Sequence, residues 1–104
     1  MSEPGATGEV LALEAGELSF QTIPAVLART AEYSARKDRD LPDNLTIDFS
    51  AVTGVDSAAV ALLLDWRRMA AARGKTLAFV NLPANLMALA ELYGVADLIQ
   101  PRQS

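Results

Sequence analysis

Cysteine and histidine are both absent from this chain of 104 residues. Without cysteine it can form no disulfide and has no thiolate nucleophile, and without histidine it lacks the commonest general base and metal ligand. No apolar run approaches the ~20 residues that a membrane-spanning helix needs. The acidic start MSEPGATGEV also differs from a signal peptide, which begins with basic residues. We therefore expect a cytoplasmic protein with no metal, no cofactor and no direct membrane insertion.

Positive charge is also scarce, since the chain has only nine Lys and Arg compared with thirteen Asp and Glu, which gives a net charge of −4. A nucleic-acid-binding protein needs a basic surface to neutralise phosphates, so that class is not expected. Apolar residues make up 51% of the chain, and a chain of this length supports a single hydrophobic core. The sequence predicts one domain over residues 9–100, with flexible tails at 1–8 and 101–104.

Strand-like and helix-like segments alternate along the chain. The predicted strands cover residues 10–14, 18–21, 45–49 and 76–81, the second of them pairing with the first. The predicted helices begin after the N-cap Thr22, run over 57–73 before Gly74, and run from Pro83 to Gly94. Residues 96–99 are expected to form a terminal strand or half-turn. Alternation of this kind is typical of an α/β fold with parallel crossover connections.

Two carboxylates flank the turn between the strand at 45–49 and the helix that follows it. Asp48 and Asp56 could act as the acid and base of a small hydrolase if their pKa values were pushed apart. Alternatively, Asp48 is a polar residue near a strand end and Asp56 is the N-cap of the helix. Capping is the better hypothesis, because no His, Cys or Tyr lies nearby in the sequence to complete a catalytic site.

Ser57 opens the predicted helix directly after Asp56. The free N–H groups and the positive end of the helix dipole favour an added anion at this position, so its hydroxyl could accept a phosphate. Many helices begin with Ser for capping alone. Position alone therefore favours a capping role over a regulatory one.

The helix predicted at 57–73 is more apolar than one buried face requires. At 100° per residue, a broad arc faces the sheet, comprising Val60, Leu63, Leu64, Ala70 and Ala71. Asp65 and Arg68 lie opposite, and three large side chains fall outside the arc or on its flank: Leu62, Trp66 and Met69. Either neighbouring helices cover this stripe, or it is exposed and marks a surface for a protein partner.

Two stretches, LTIDFSAVTGVDSAAVALLLDW and RGKTLAFVNLPANLMALAELYGV, resemble a STAS domain, the fold of anti-sigma-factor antagonists and of sulfate-transporter tails. Within that superfamily the chain is most similar to the MlaB family, the small cytoplasmic STAS subunits of phospholipid ABC transporters. The resemblance extends from about residue 10 to residue 99. It implies a small mixed, mostly parallel sheet with helices mainly on one face.

The resemblance also implies a function and a site. Ser57 aligns with the Ser or Thr that STAS regulators present for phosphorylation and that MlaB proteins keep at the ATPase contact. Ala58 and Ala59 replace the hydroxyl residue and Gly that usually follow it in the antagonists, which favours docking over control by a kinase.

The chain is accordingly expected to be a non-catalytic subunit that binds and supports an MlaF-like ATPase at the inner membrane, in a complex that maintains outer-membrane lipid asymmetry. The alternative is an anti-sigma-factor antagonist whose binding to an anti-sigma kinase is switched by phosphorylation of Ser57. The predicted interface comprises Asp56, Ser57, Ala58, Ala59, Leu62, Trp66 and Met69.

Overall fold

The computed structural model describes residues 8–13 and 16–100, and the side chains of all of these except Ser34 and Asp38. The strands are β1 (Gly8–Ala12), β2 (Glu17–Leu18), β3 (Asn44–Asp48), β4 (Gly54–Val55) and β5 (Thr76–Val80). The helices are α1 (Ile23–Ala35), α2 (Ser57–Ala72), α3 (Ala84–Leu92) and α4 (Ala96–Ile99), with a 3₁₀ turn at Asp38–Asp40. The predicted tails lie outside the described residues except for Gly8, where β1 begins. Within the described residues, the helices are all too short or too polar to span a bilayer.

The main sheet has the strand order β1-β3-β5, and both of its pairings are parallel. Leu11, Ile47 and Phe79 lie side by side across the three strands, and Val10, Thr46 and Ala78 form the next row. Successive residues of a strand point to opposite faces. Ile47 and Phe79 are buried in the core, whereas Val10 is exposed. The helices of the described chain therefore cover one face of this sheet, which confirms the predicted α/β architecture.

A separate pair of two-residue strands joins β2 to β4 in parallel, with Glu17 opposite Gly54 and Leu18 opposite Val55. The predicted pairing of the segment at 18–21 with the first strand is therefore wrong. The carbonyl of Gly16 accepts hydrogen bonds from the N–H of Thr53 (2.6 Å) and the N–H of Gly54 (3.1 Å). These hydrogen bonds connect the residue before β2 with the segment at Thr53 and Gly54, which precedes α2.

Helices α2 and α3 end in the same way, at a glycine with positive φ. Gly74 has φ 71° and Gly94 has φ 73°, a conformation that glycine adopts without the steric cost of a Cβ. The residue after each glycine donates its N–H back into the helix: Lys75 to the Ala70 carbonyl at 2.9 Å, and Val95 to the Ala90 carbonyl at 2.8 Å. Both predicted helix ends are confirmed, as Schellman caps.

The last element, α4, is a helical turn, so of the two predicted alternatives for residues 96–99 the half-turn is confirmed and the terminal strand is wrong. The carbonyl of Val95 accepts the N–H groups of Leu98 and Ile99 at 3.0 and 3.2 Å, and Ile99 is fully buried. The Arg67 side chain donates its Nε–H to the Ile99 carbonyl at 2.8 Å. Its guanidinium carbon lies 4.9 Å from the centre of the Phe79 ring, and burial lowers the pKa of Arg67. Arg67 thus ties α4 to α2 and the sheet.

The buried side of α2 differs from the predicted arc. Its buried residues are Ala59, Val60, Leu62 and Leu63. Leu64 is only partly buried and Ala71 is exposed, although both were placed in the arc. The reason is that α2 packs against β5, α1, α3 and α4 together. A helix with several neighbours buries side chains that a one-sheet projection leaves outside.

Candidate functional site

The residues around Ser57 are brought together by the parallel pairing of β2 and β4. Leu18 lies opposite Val55, so the chain leaves both strands side by side. Asp56 follows β4 directly and Phe20 follows β2 by two residues. Two loops far apart in sequence therefore converge where α2 begins. We call the group Phe20, Asp56, Ser57, Ala58 and Ala61 the Ser57 surface.

The carboxylate of Asp56 holds both loops. One oxygen, Oδ1, accepts the N–H of Ala58 at 2.9 Å, which caps α2. The other, Oδ2, accepts the N–H of Phe20 at 3.0 Å. The predicted cap is confirmed, and the second bond adds a cross-link between segments 36 residues apart. Because caps of this kind stabilise a helix by about 1 kcal/mol, Asp56 has a structural role that does not depend on a partner.

Phe20 is the main residue of the site that sequence reasoning missed. Its side chain is 78% exposed, although exposing an aromatic ring to water is unfavourable. The turn that carries it is hydrogen-bonded, since the Ser19 carbonyl accepts the N–H groups of Thr22 at 3.0 Å and Ile23 at 2.9 Å. Thr22 is the N-cap residue of α1, as predicted, but its side chain makes no capping hydrogen bond; its hydroxyl donates to the Glu17 carbonyl at 2.8 Å. In the sequence, Phe20 is a single aromatic residue within the predicted strand at 18–21, and nothing in that pattern indicated that its side chain is exposed.

Ser57 is the first residue of α2 and is exposed. Within the described part of the chain no group hydrogen-bonds its hydroxyl, because Asp56 provides the cap. The segments around it, at 16–22, 50–61 and 82–88, contain no Lys or Arg. Ala61 is exposed one turn further along the helix, and Ala58 is partly buried. Ser57 therefore lies on a surface of small side chains beside a carboxylate.

The residues of the predicted interface do not form one surface. Two of them are buried in the core, and the others lie near the two ends of α2. Ala59 is fully buried and Leu62 is only 6% exposed, so both belong to the protein's own core, and the predicted exposure of Leu62 is wrong. Trp66 and Met69 line a pocket between α1 and α2. They lie nine and twelve residues after Ser57, about 14 and 18 Å along the helix. Asp56, Ser57 and Ala58 lie together at the N-terminus of α2.

Asp48 and Asp56 have separate structural partners. Asp48 ends β3 in the main sheet, and its Oδ1 accepts the Asn81 amide N–H at 3.0 Å and the Ser50 N–H at 2.9 Å. Both hydrogen bonds lower the pKa of Asp48, and the one from Asn81 has the larger effect. A carboxyl with a lowered pKa is ionised at neutral pH and is a poor general acid. In residues 8–13 and 16–100, no group of three or more acidic side chains is arranged to hold a metal ion.

Replacing Asn81 by alanine is expected to raise the pKa of Asp48 towards its ordinary value of 3.8, because the main hydrogen bond to the ionised form is lost. A lowered pKa in the folded state stabilises the protein above the unfolded-state pKa, and this contribution disappears as the pH falls through the folded-state pKa. The variant should therefore lose less stability on acidification. Carboxyl ¹³C NMR titration measures the shift, and an unchanged Asp48 pKa would contradict the assignment.

The comparisons with known proteins agree with this geometry at the level of the family. A family model described as "Mlab, STAS domain" matches residues 4–100. Comparisons with curated proteins and with solved structures gave no match. The matched region includes every described strand and helix. The chain belongs to the STAS domain family and is a STAS protein like MlaB.

Proposed function

We propose that this protein is the non-catalytic STAS subunit of a phospholipid-transporting ABC complex, and that it binds and supports the ATPase subunit at the cytoplasmic side of the inner membrane. The family supports the class of protein. The observation that carries the proposal is the exposed Phe20, which Asp56 holds beside Ser57.

The Ser57 surface has the features of a protein interface. Aromatic side chains are enriched among the residues that dominate binding energy, especially when they fill a pocket on the partner. Phe20 is held by its backbone, so less conformational entropy is lost when it docks. Beside it, Ser57 and Ala61 carry small side chains on the exposed side of α2, which lets a partner approach the helix closely. The surface therefore combines an exposed aromatic side chain with small exposed side chains on α2.

Two observations favour docking over catalysis or a phosphate switch. The carboxylates of Asp48 and Asp56 are both engaged in hydrogen bonds that fix the fold. A phosphate on Ser57 would add a charge of about −1.5 to −2 next to Asp56, where no Lys or Arg occurs in the surrounding segments. An unmodified hydroxyl packed against a partner fits this environment better than a phosphoserine does.

The direct experiment is to capture the protein from native membranes and to identify an ABC ATPase among the copurifying proteins. The purified ATPase is then titrated with the wild type and with the Ser57→Ala and Ser57→Glu variants. We expect Ser57→Glu to weaken association by about tenfold or more, because it places a charge in a desolvated contact. Ser57→Ala should bind nearly as the wild type does, since the hydroxyl has no partner in the described fold.

Ala72→Glu is the matched control, because it adds the same charge to an exposed position about 22 Å further along α2. Equal weakening by Ala72→Glu would assign the effect to net charge, and wild-type binding by Ser57→Glu would remove Ser57 from the interface. Copurification of an anti-sigma kinase, with phosphoserine at Ser57 in the mass spectrum of the native protein, would replace the proposal with the antagonist function.

A further inference from the structure

A pocket of about 100 Å³ lies between α1 and α2, above the buried face of the main sheet. Leu45, Ile47 and Leu77 line it from the sheet, and Trp66, Met69 and Ala70 line it from α2. It is at the opposite end of α2 from the Ser57 surface. Its volume approaches that of an engineered apolar cavity of roughly 150 Å³ that binds benzene. The space is therefore large enough for a short length of hydrocarbon.

The pocket offers water few partners. Most of its lining side chains are apolar, and the polar groups of Thr30, Tyr33 and Arg73 in the lining already make hydrogen bonds. The Arg73 guanidinium donates to the carbonyls of Tyr33 and Arg36, and the Tyr33 hydroxyl donates to Glu9 at 2.9 Å. A buried water is stable only where two to four polar groups receive it. An apolar occupant is consequently favoured over ordered water.

A cation in the lining of the pocket indicates the head group of an apolar occupant. The Lys75 side chain belongs to the lining and is only 16% exposed. Its ammonium is 3.1 Å from an oxygen of Asp43, whose own side chain is 71% exposed. Ion pairs with such an exposed partner contribute little, about 0–1 kcal/mol, so a ligand carboxylate can replace Asp43 at small cost.

From the apolar walls, the volume and Lys75 together, we propose that the α1–α2 pocket binds a free medium-chain fatty acid, with the chain against Trp66 and the carboxylate at Lys75. The pocket has room for a single hydrocarbon chain, which fits a free fatty acid rather than a phospholipid with two chains. The inference does not depend on the proposed function, since it concerns the protein alone and the other end of α2.

Trp66 is the only tryptophan of the chain, so its fluorescence reports occupancy directly. Titration with octanoate, below its micelle concentration, should give a saturable change. Ala70→Leu fills the pocket and should weaken binding by about tenfold or more. Ala72→Leu, the same change at an exposed position of α2, should leave binding unchanged. Thr30→Leu fills the pocket from α1 and serves as the second variant if Ala70→Leu does not fold.

The head group is tested with Lys75→Met, which should weaken octanoate binding several-fold and leave octanol binding unchanged. The absence of a saturable signal, or undiminished binding by the folded pocket-filling variants, would overturn the site. Equal effects of Lys75→Met on octanoate and octanol would overturn the carboxylate assignment. A Trp66 response to vesicles of phosphatidylethanolamine and phosphatidylglycerol, but not to octanoate, would overturn the choice of a free fatty acid.

Discussion

Truncation of Leu62 to alanine is expected to lower the free energy of unfolding by about 2–5 kcal/mol, the range found for a leucine removed from a packed core. Leu62 is 6% exposed and belongs to the buried side of α2. The lost side chain leaves a cavity that its neighbours only partly close. Urea denaturation measures the effect as a lower transition midpoint with an unchanged slope.

Met69→Ala is the matched control, because Met69 is on the same helix and was predicted to share a stripe with Leu62. Met69 is 40% exposed, so its truncation should cost only about 1–1.5 kcal/mol by the area that it buries. If Leu62→Ala were as stable as Met69→Ala, the burial of Leu62 would be contradicted. Leu62 would then belong to the exposed stripe predicted from the sequence.

Local rules predicted the features of this fold that depend on neighbouring residues. Asp56 caps α2 because its side chain reaches an N–H two residues away. Gly74 and Gly94 end their helices because a glycine adopts positive φ at little cost. The strands of the main sheet follow from their apolar, β-branched composition. Each of these outcomes is decided within about five residues.

The features that sequence reasoning placed wrongly depend on distant parts of the chain. Leu62 is buried because α2 packs against β5, α1, α3 and α4, and the rotation of a helix towards such neighbours cannot be inferred from its own period. The pairing of Leu18 with Val55 joins two-residue strands 37 positions apart, which are too short to show a pattern. Phe20 belongs to the site only through that pairing, so its role could not be predicted either.

The two ends of α2 now have different properties. Its N-terminus presents small polar and apolar groups to the outside beside an exposed ring. Its C-terminal half lines, together with α1, an apolar pocket that is partly open to solvent. A single apolar stripe along the helix therefore does not explain the excess of apolar residues that the sequence shows. Part of the excess completes the core, and part lines the pocket.

Replacing Phe20 by alanine is expected to weaken association with the proposed ATPase partner by about thirtyfold, which corresponds to the roughly 2 kcal/mol typical of a dominant interface residue. The free energy of unfolding should stay within about 0.5 kcal/mol of the wild-type value, because the ring is 78% exposed and its backbone N–H still donates to Asp56. Calorimetric titration measures the first quantity, and denaturation measures the second.

Leu92→Ala controls for the loss of any exposed apolar side chain, since Leu92 is 75% exposed at the end of α3, away from the Ser57 surface. Phe20→Tyr keeps the ring and should bind nearly as the wild type does. Equal losses at Phe20 and Leu92 would indicate a nonspecific contribution of apolar area. Undiminished binding by Phe20→Ala, together with a strong effect of Ser57→Glu, would confine the contact to α2 and remove the β2–α1 turn from it.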